Sequence, residues 1–158
     1  MNQTNENPYE TPSSDIITNN PALSMQGFTR FSAWGVFGLS IITLGIYPIY
    51  WMYTRARVVN NIHEDTISDA LLYSIIVITI LSFGIAFFEE TDIIIMINGI
   101  ITLIYVVLTI TLIFKIRNRL QDIMNGGNLS YYLSPVLTFF FTSLYLQYKI
   151  NQYFDDHA

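Results

Sequence analysis

The chain has 158 residues, 52% of them hydrophobic and 12% charged, with seven Lys and Arg against twelve Asp and Glu for a net charge of -5. Soluble domains carry about twice that charged fraction, so a mean hydropathy of +0.42 with a pI near 4.7 points to a membrane protein and excludes a basic nucleic-acid binder. The absence of cysteine excludes a disulfide framework, a thiolate metal site, a cysteine nucleophile and a lipoprotein anchor.

Residues 1–27 are expected to form a disordered tail, polar and rich in Asn, Thr, Ser and Pro. A secretory signal needs a basic region followed at once by an apolar one. Neither is present, so the first apolar run is expected to act as its own signal-anchor. Within the tail, Asn7-Pro8-Tyr9-Glu10-Thr11-Pro12 carries two prolines that pre-order an extended peptide. It reads either as a docking segment or as a solvated leader.

Residues 28–158 are expected to be one domain, an all-α integral membrane bundle of four transmembrane helices. Its spans are the apolar runs 31–53, 70–88, 93–114 and 132–148, which contain no Asp, Glu, Lys, Arg or His. Runs of roughly 17 to 23 residues at ~1.5 Å per residue reach about 26 to 34 Å, enough for a hydrocarbon core ~30 Å thick. Intramembrane ionisable groups, the usual flag of transport or catalysis, are missing.

Bases decide the threading. Arg55 and Arg57 follow the first run and Lys115, Arg117 and Arg119 follow the third, whereas the connection between the second and third holds Glu89, Glu90 and Asp92. With those basic loops cytoplasmic, only Arg30 and Lys149 lie outside, and both termini are expected outside. Aromatic residues mark the boundaries: Tyr47, Tyr50, Trp51, Tyr53, Tyr73, Tyr131 and Tyr132 inside, with Phe28, Phe31, Trp34, Phe87, Phe88, Tyr148 and Tyr153 outside. The fourth run is the shortest and is followed by Lys149. If it is re-entrant or interfacial, the C-terminus moves inside.

Both basic loops read as helix extensions along the headgroups, Tyr53 to Ile62 and Lys115 to Met124, the latter stopped by Gly126-Gly127. Their bases either recognise anionic lipid or anchor the topology. Pro48 is expected to kink the first helix near Gly45 to Tyr47.

Weakly polar residues form stripes at helical spacing: Asn98, Thr102, Tyr105 and Thr109 in the third run, Thr138, Thr142, Tyr145 and Lys149 in the fourth. Ser40, Thr43, Tyr47 and Tyr50 form another in the first, opposite Gly35, Gly38 and Gly45. Helix packing accounts for them, with about 0.6 kcal/mol per interhelical bond; the alternative is a narrow hydrophilic path.

His63-Glu64-Asp65 is the one cluster with metal-ligand or acid–base character, and its adjacent side chains diverge on any regular element. The acids at 89, 90 and 92 read as solvated. No Walker loop, G-x-S-x-G or H-E-x-x-H occurs, and Asn128-Leu129-Ser130, a glycosylation match, falls on the expected cytoplasmic side. No catalytic residue, metal or cofactor is expected.

The run Thr43-Leu44-Gly45-Ile46-Tyr47-Pro48-Ile49-Tyr50-Trp51 resembles the T-L-G-I-Y-x-I-Y-W hallmark of a bacterial membrane family, the domain of unknown function 4234. Ser134-Pro135, the closing segment Tyr145 to Asn151 and the N-P-Y-x-x-P leader are similar to parts of such proteins. The resemblance implies a bacterial cytoplasmic membrane location and supplies no activity or site. A short internal likeness accompanies it: Tyr50 to Asn60 and Tyr145 to Asn151 each run from aromatics through a base to an Asn at a helix end, as duplicated helical hairpins would.

These features are expected of a non-enzymatic component of the bacterial inner membrane, with the lipid bilayer, a second copy or another membrane protein as partner. A small transporter or channel using the stripes of the third and fourth runs is the first rival; an enzyme using His63 to Asp65 is the second.

Overall fold

The computed structural model describes residue 25, residues 27–126 and residues 131–157. Most of the expected tail, with the Asn7 to Pro12 segment, and Asn128-Leu129-Ser130 lie outside them. Among the described residues there are five helices and no strand: α1 Ala33–Ile42, α2 Ile46–Ile62, α3 Asp69–Ile85, α4 Asp92–Asn125 and α5 Pro135–Asp156.

The first apolar run is two helices, not one. Ser32 caps α1, its Oγ accepting from the Gly35 N–H. At the other end Leu44 N–H donates to Ile41 O and Gly45 N–H to Ser40 O at 2.8 Å, the paired bonds of a Schellman motif. That motif needs a left-handed residue after the cap, and Leu44 supplies it at φ 50, followed by Gly45 at φ 88. Pro48 then sits in the first turn of α2, where a missing N–H costs nothing, so the expected kink is replaced by a complete reversal. Thr43 Oγ1 accepts from the Tyr47 N–H at 2.9 Å and helps to start α2.

Contacts on either side of the turn establish the reversal. Ser40 and Pro48 line one cavity, the Phe31 and Tyr47 rings stand 6.3 Å apart, Arg55 reaches Thr29 Oγ1 at 3.1 Å, and a Cβ on Gly27 would meet Val58 Cγ1 at 3.3 Å. Pairs that diverge in sequence from a common centre define antiparallel helices. With 10 residues, α1 is about 15 Å long, half a hydrocarbon core.

A second reversal divides α5. Thr142 has φ 38 and ψ -118, and the helical segments on its two sides are separate. In one continuous helix Ser134 and Tyr145 would stand about 16 Å apart; instead the Ser134 N–H donates to Tyr145 Oη at 2.8 Å. Tyr131 packs on Tyr153 with ring centroids 5.1 Å apart and donates from Oη to Asp156 at 3.0 Å. The expected stripe Thr138, Thr142, Tyr145, Lys149 therefore does not run along one face. Thr138 lies before the break, where it donates to Ser134 O at 2.8 Å, and Tyr145 and Lys149 lie after it.

Helices α3 and α4 pack together, joined by a turn at 86–91, where Thr91 caps α4 through Ile94 N–H. The two sequence-expected extensions are helical: α2 runs to Ile62 and α4 to Asn125. With 34 residues, α4 is about 51 Å long. It is the one helix among those described that is both long and apolar enough to cross a membrane, and none of its most apolar stretch is buried.

Most of the buried apolar side chains lie at the end where the bases are. Trp51, Met52, Ala56 and Val59 of α2 meet Leu72 and Ile75 of α3, Leu112 to Met124 of α4, and Leu146, Ile150 and Tyr153 of α5. The far halves of α3 and α4 stay uncovered, with Ile80, Leu81, Ile93, Leu103 and Val107 exposed. The two turn tips are also bare, Leu44 being 84% exposed and Phe140 70%.

Candidate functional site

Six of the seven basic side chains are tied by hydrogen bonds or ion pairs at the buried end. Arg30 pairs with Asp155, Arg57 with Asp69 at 3.0 Å and Arg119 with Asp65 at 2.6 Å. Arg117 donates to Leu133 O and Lys149 to Gln152 at 2.9 Å, while Lys115 lies one turn before Arg119, which donates to its carbonyl. Residues 29–31 and 151–157 therefore stand at the same end as the basic loops. This corrects the placement of Phe28 and Tyr153 at an opposite boundary: both are buried, Tyr153 stacked on His157 at 4.1 Å.

Where the two reversing helix pairs meet, a polar cluster sits inside the apolar core. Gln147, 0% exposed, is its centre. Its Oε1 accepts from Trp51 Nε1 at 2.9 Å and from Arg55 Nη2 at 3.2 Å. Its Nε2 donates to Thr29 O at 3.3 Å and to Asn151 Oδ1 at 3.1 Å. Asn151 in turn donates to Phe31 O at 2.7 Å and accepts from the Phe31 N–H at 3.3 Å. One amide thus ties α2 and the second arm of α5 to the segment that leads into α1.

Arg55 is 8% exposed. Its guanidinium carbon lies 5.8 Å from the Trp51 ring and 5.9 Å from the Phe28 ring, within cation–π range. Burial pushes its pKa below the ordinary arginine value, and the phenols of Tyr47 and Tyr50 partly offset that. Arg57 points outward, with Nε donating to Tyr53 Oη at 3.3 Å and Nη2 to Tyr73 Oη at 3.2 Å. The bond to Tyr53 and the nearby Asp69 raise its pKa.

Three asparagines play one structural role. Asn60 donates to Ile67 O at 2.8 Å and accepts from Ile67 N–H at 2.6 Å. Asn125 does the same to Tyr131 at 3.1 and 2.6 Å, and Asn151 to Phe31. Each side chain clasps both backbone groups of one residue in the extended segment leading to the next helix, or, for Asn151, back to the first. Asn60 and Asn151, which end the two similar stretches, both make this clasp.

The sequence-expected site residues divide accordingly. Tyr47, Tyr50, Trp51, Tyr53, Arg55 and Arg57 all lie on α2 and Lys115, Arg117 and Arg119 on α4; Trp51, Arg55 and Arg119 are buried, because α1 and α5 pack on α2 and the 63–68 loop covers Arg119. Tyr50 is exposed. On α4, Asn98 and Thr102 are exposed, whereas Tyr105 and Thr109 are partly covered. The Thr109 hydroxyl is buried without a partner. His63 accepts from the Asp65 N–H at 3.1 Å and lies 3.7 Å from Asp122. Among the described residues no three His, Asp or Glu side chains gather as metal ligands. Gln147 and Asn151 are not singled out from the sequence, although two amides four residues apart share a helix face and Gln147 interrupts an apolar run.

No curated protein and no solved structure matches the chain. A family model does, over residues 31–156, from the first residue clasped by Asn151 to the carboxylate that Tyr131 bonds. The helices and the clasp network thus fall inside one family unit, and the chain belongs to the domain of unknown function DUF4234 family.

Proposed function

We propose that the chain is a multi-pass integral protein of the bacterial cytoplasmic membrane that acts without catalysis, by filling one leaflet more than the other and packing there with a second copy or another membrane protein. In this reading α3 and α4 cross the bilayer. The α1–α2 pair and the two arms of α5 enter from the basic side, reach about half depth and return. The observation that carries it is the double reversal, at 43–45 and at Thr142, inside apolar runs whose turn tips are bare hydrocarbon.

Charge supports this threading over four full spans. All seven bases then lie on the cytoplasmic side, where the four-span threading leaves Arg30 and Lys149 outside. Both termini become cytoplasmic, and Glu89, Glu90 and Asp92 cap the outer turn. Six helical arms occupy the inner leaflet and two the outer. At about 10 Å per helix diameter, that asymmetry makes the molecule a wedge.

The lack of native cysteine makes single-cysteine labelling clean. In whole cells a membrane-impermeant maleimide is expected to label Glu90→Cys, and to label Glu64→Cys and His157→Cys only after permeabilisation. Labelling of His157→Cys from outside would restore four spans. Reconstituted at rising protein-to-lipid ratio, the protein is expected to reduce vesicle diameter; a diameter independent of protein content removes the leaflet-shaping role.

A further inference from the structure

We infer that the recess beside Arg55 binds a phosphate-bearing anion, in the membrane the headgroup of an anionic glycerophospholipid. The assignment of a lipid source rests on the membrane reading above; the site itself rests on its own geometry. The recess holds about 330 Å³ and is lined by Thr29, Tyr47, Tyr50, Trp51, Thr54 and Arg55 among others, with no carboxylate on its wall. That is the lower end of the volume range of small-molecule sites.

Arg55 is the reason an anion is needed there. Arg30, Arg57 and Arg119 each have a carboxylate partner. Arg55, the buried cation where the hairpins meet, has none among the described residues. Only Nη2 is engaged, by Thr29 and Gln147, and Nε is buried with no hydrogen-bond partner at all. An uncompensated buried charge is strongly unfavourable, and an anion in contact with it removes the deficit. Nη1, the guanidinium nitrogen that is neither bonded nor fully buried, is the donor left for a phosphate oxygen.

The remaining donors are in place. Neither the Tyr47 nor the Tyr50 hydroxyl makes a hydrogen bond among the described residues, and both line the recess. Thr54 Oγ1 is spent on Trp51 O at 2.9 Å, so its oxygen adds no free donor. Tyr50 is exposed, which leaves a path to the surface at the depth where tyrosines and Arg57 mark the headgroup zone.

The test uses full-length protein in a neutral detergent, titrated with phosphatidylglycerol, with phosphatidylcholine as the uncharged comparison, and read by lipid retention in native mass spectrometry. Wild type and Arg57→Gln are expected to retain phosphatidylglycerol equally, and Arg55→Gln to bind it about tenfold or more weakly, the loss of a charge-assisted pair. If Arg55→Gln fails to fold, the Tyr47→Phe, Tyr50→Phe double variant takes its place, with an expected loss of about fivefold or more. Displacement of the lipid by millimolar inorganic phosphate would support the site and assign a soluble source; resistance to it supports the lipid. Equal retention by wild type and a folded Arg55→Gln, or equal binding of phosphatidylcholine, overturns the inference. Because the titration is done in detergent, its outcome is independent of the labelling of His157→Cys, and either reading can fail alone.

Discussion

Replacing Gln147 by Leu tests whether one amide holds the helical arms together. The change keeps side-chain volume nearly constant and deletes four hydrogen bonds at a position with no solvent access. Trp51 Nε1 loses its partner inside the core, which costs about 1–3 kcal/mol, and the charge-assisted bond from Arg55 is worth about 1.5–3 kcal/mol. Thr29 O and Asn151 Oδ1 retain Arg55 and the Phe31 N–H as donors, so their losses are smaller. Leucine's better burial returns about 1–2 kcal/mol. The net expectation is destabilisation by about 3 kcal/mol. Unfolding in mixed micelles at increasing sodium dodecyl sulfate, followed by far-ultraviolet circular dichroism, measures it. In a Trp51→Phe background the orphaned indole no longer exists, and the same substitution is expected to cost about 1.5 kcal/mol less. Additive effects of the two substitutions, or a Gln147→Leu protein as stable as wild type, would refute the assignment of the cluster as the joint between the hairpins.

At the first tip, Gly45→Val is expected to destabilise by about 2 kcal/mol through its backbone alone, since φ is +88 and a Cβ there meets nothing within 4 Å. Gly38→Ala, equally uncrowded but inside α1, is expected to gain up to about 1 kcal/mol in the same unfolding assay. Asn60→Ala removes both bonds to Ile67 and is expected to cost about 2 kcal/mol, with amide exchange at Ile67 accelerating first. The Tyr131 phenol is pushed up to about 12 by burial and by its bond to Asp156. Its contribution to stability is therefore complete below about pH 10, the ordinary phenol value, and is lost as pH rises through 12; the difference in phenolate absorbance between wild type and Tyr131→Phe is expected to titrate in that window.

The gaps in charge located the helices; the bases at 55, 57, 115, 117 and 119, read from sequence only as topology markers, lie at the end where most of the core assembles. The helical extension of α2 to Ile62 and of α4 to Asn125 was legible from polar residues continuing the period. The reversals were not, because an apolar run reads identically whether the chain crosses or doubles back. Gly45 looked like a helix-packing residue and Pro48 like a kink, yet with Thr43 and Leu44 they compose a Schellman turn. At Thr142 neither glycine nor proline marks the break at all. The brevity of the last run and the Lys after it were the available hints that it turns back. Trp51 and Arg55 carried the composition of a boundary residue, and only the covering helices show them facing inward. The repeat ending at Asn60 and Asn151 was visible, but its purpose, a bidentate grip on one residue's backbone, needed the coordinates.

The acidic turn at 86–91, with Asp92 at the start of α4, has a bearing on biogenesis. In the proposed threading, Glu89, Glu90 and Asp92 are the acidic or basic side chains among the described residues that must pass through the hydrocarbon. All three are anions, and an inside-negative potential drives anions outward by about 2.3 kcal/mol per charge per 100 mV, about 7 kcal/mol together. The remaining helical arms deliver nothing ionic to the far side. Insertion of the whole chain reduces to pushing a single acidic loop downhill, after which the rest can settle from the side on which it was synthesised.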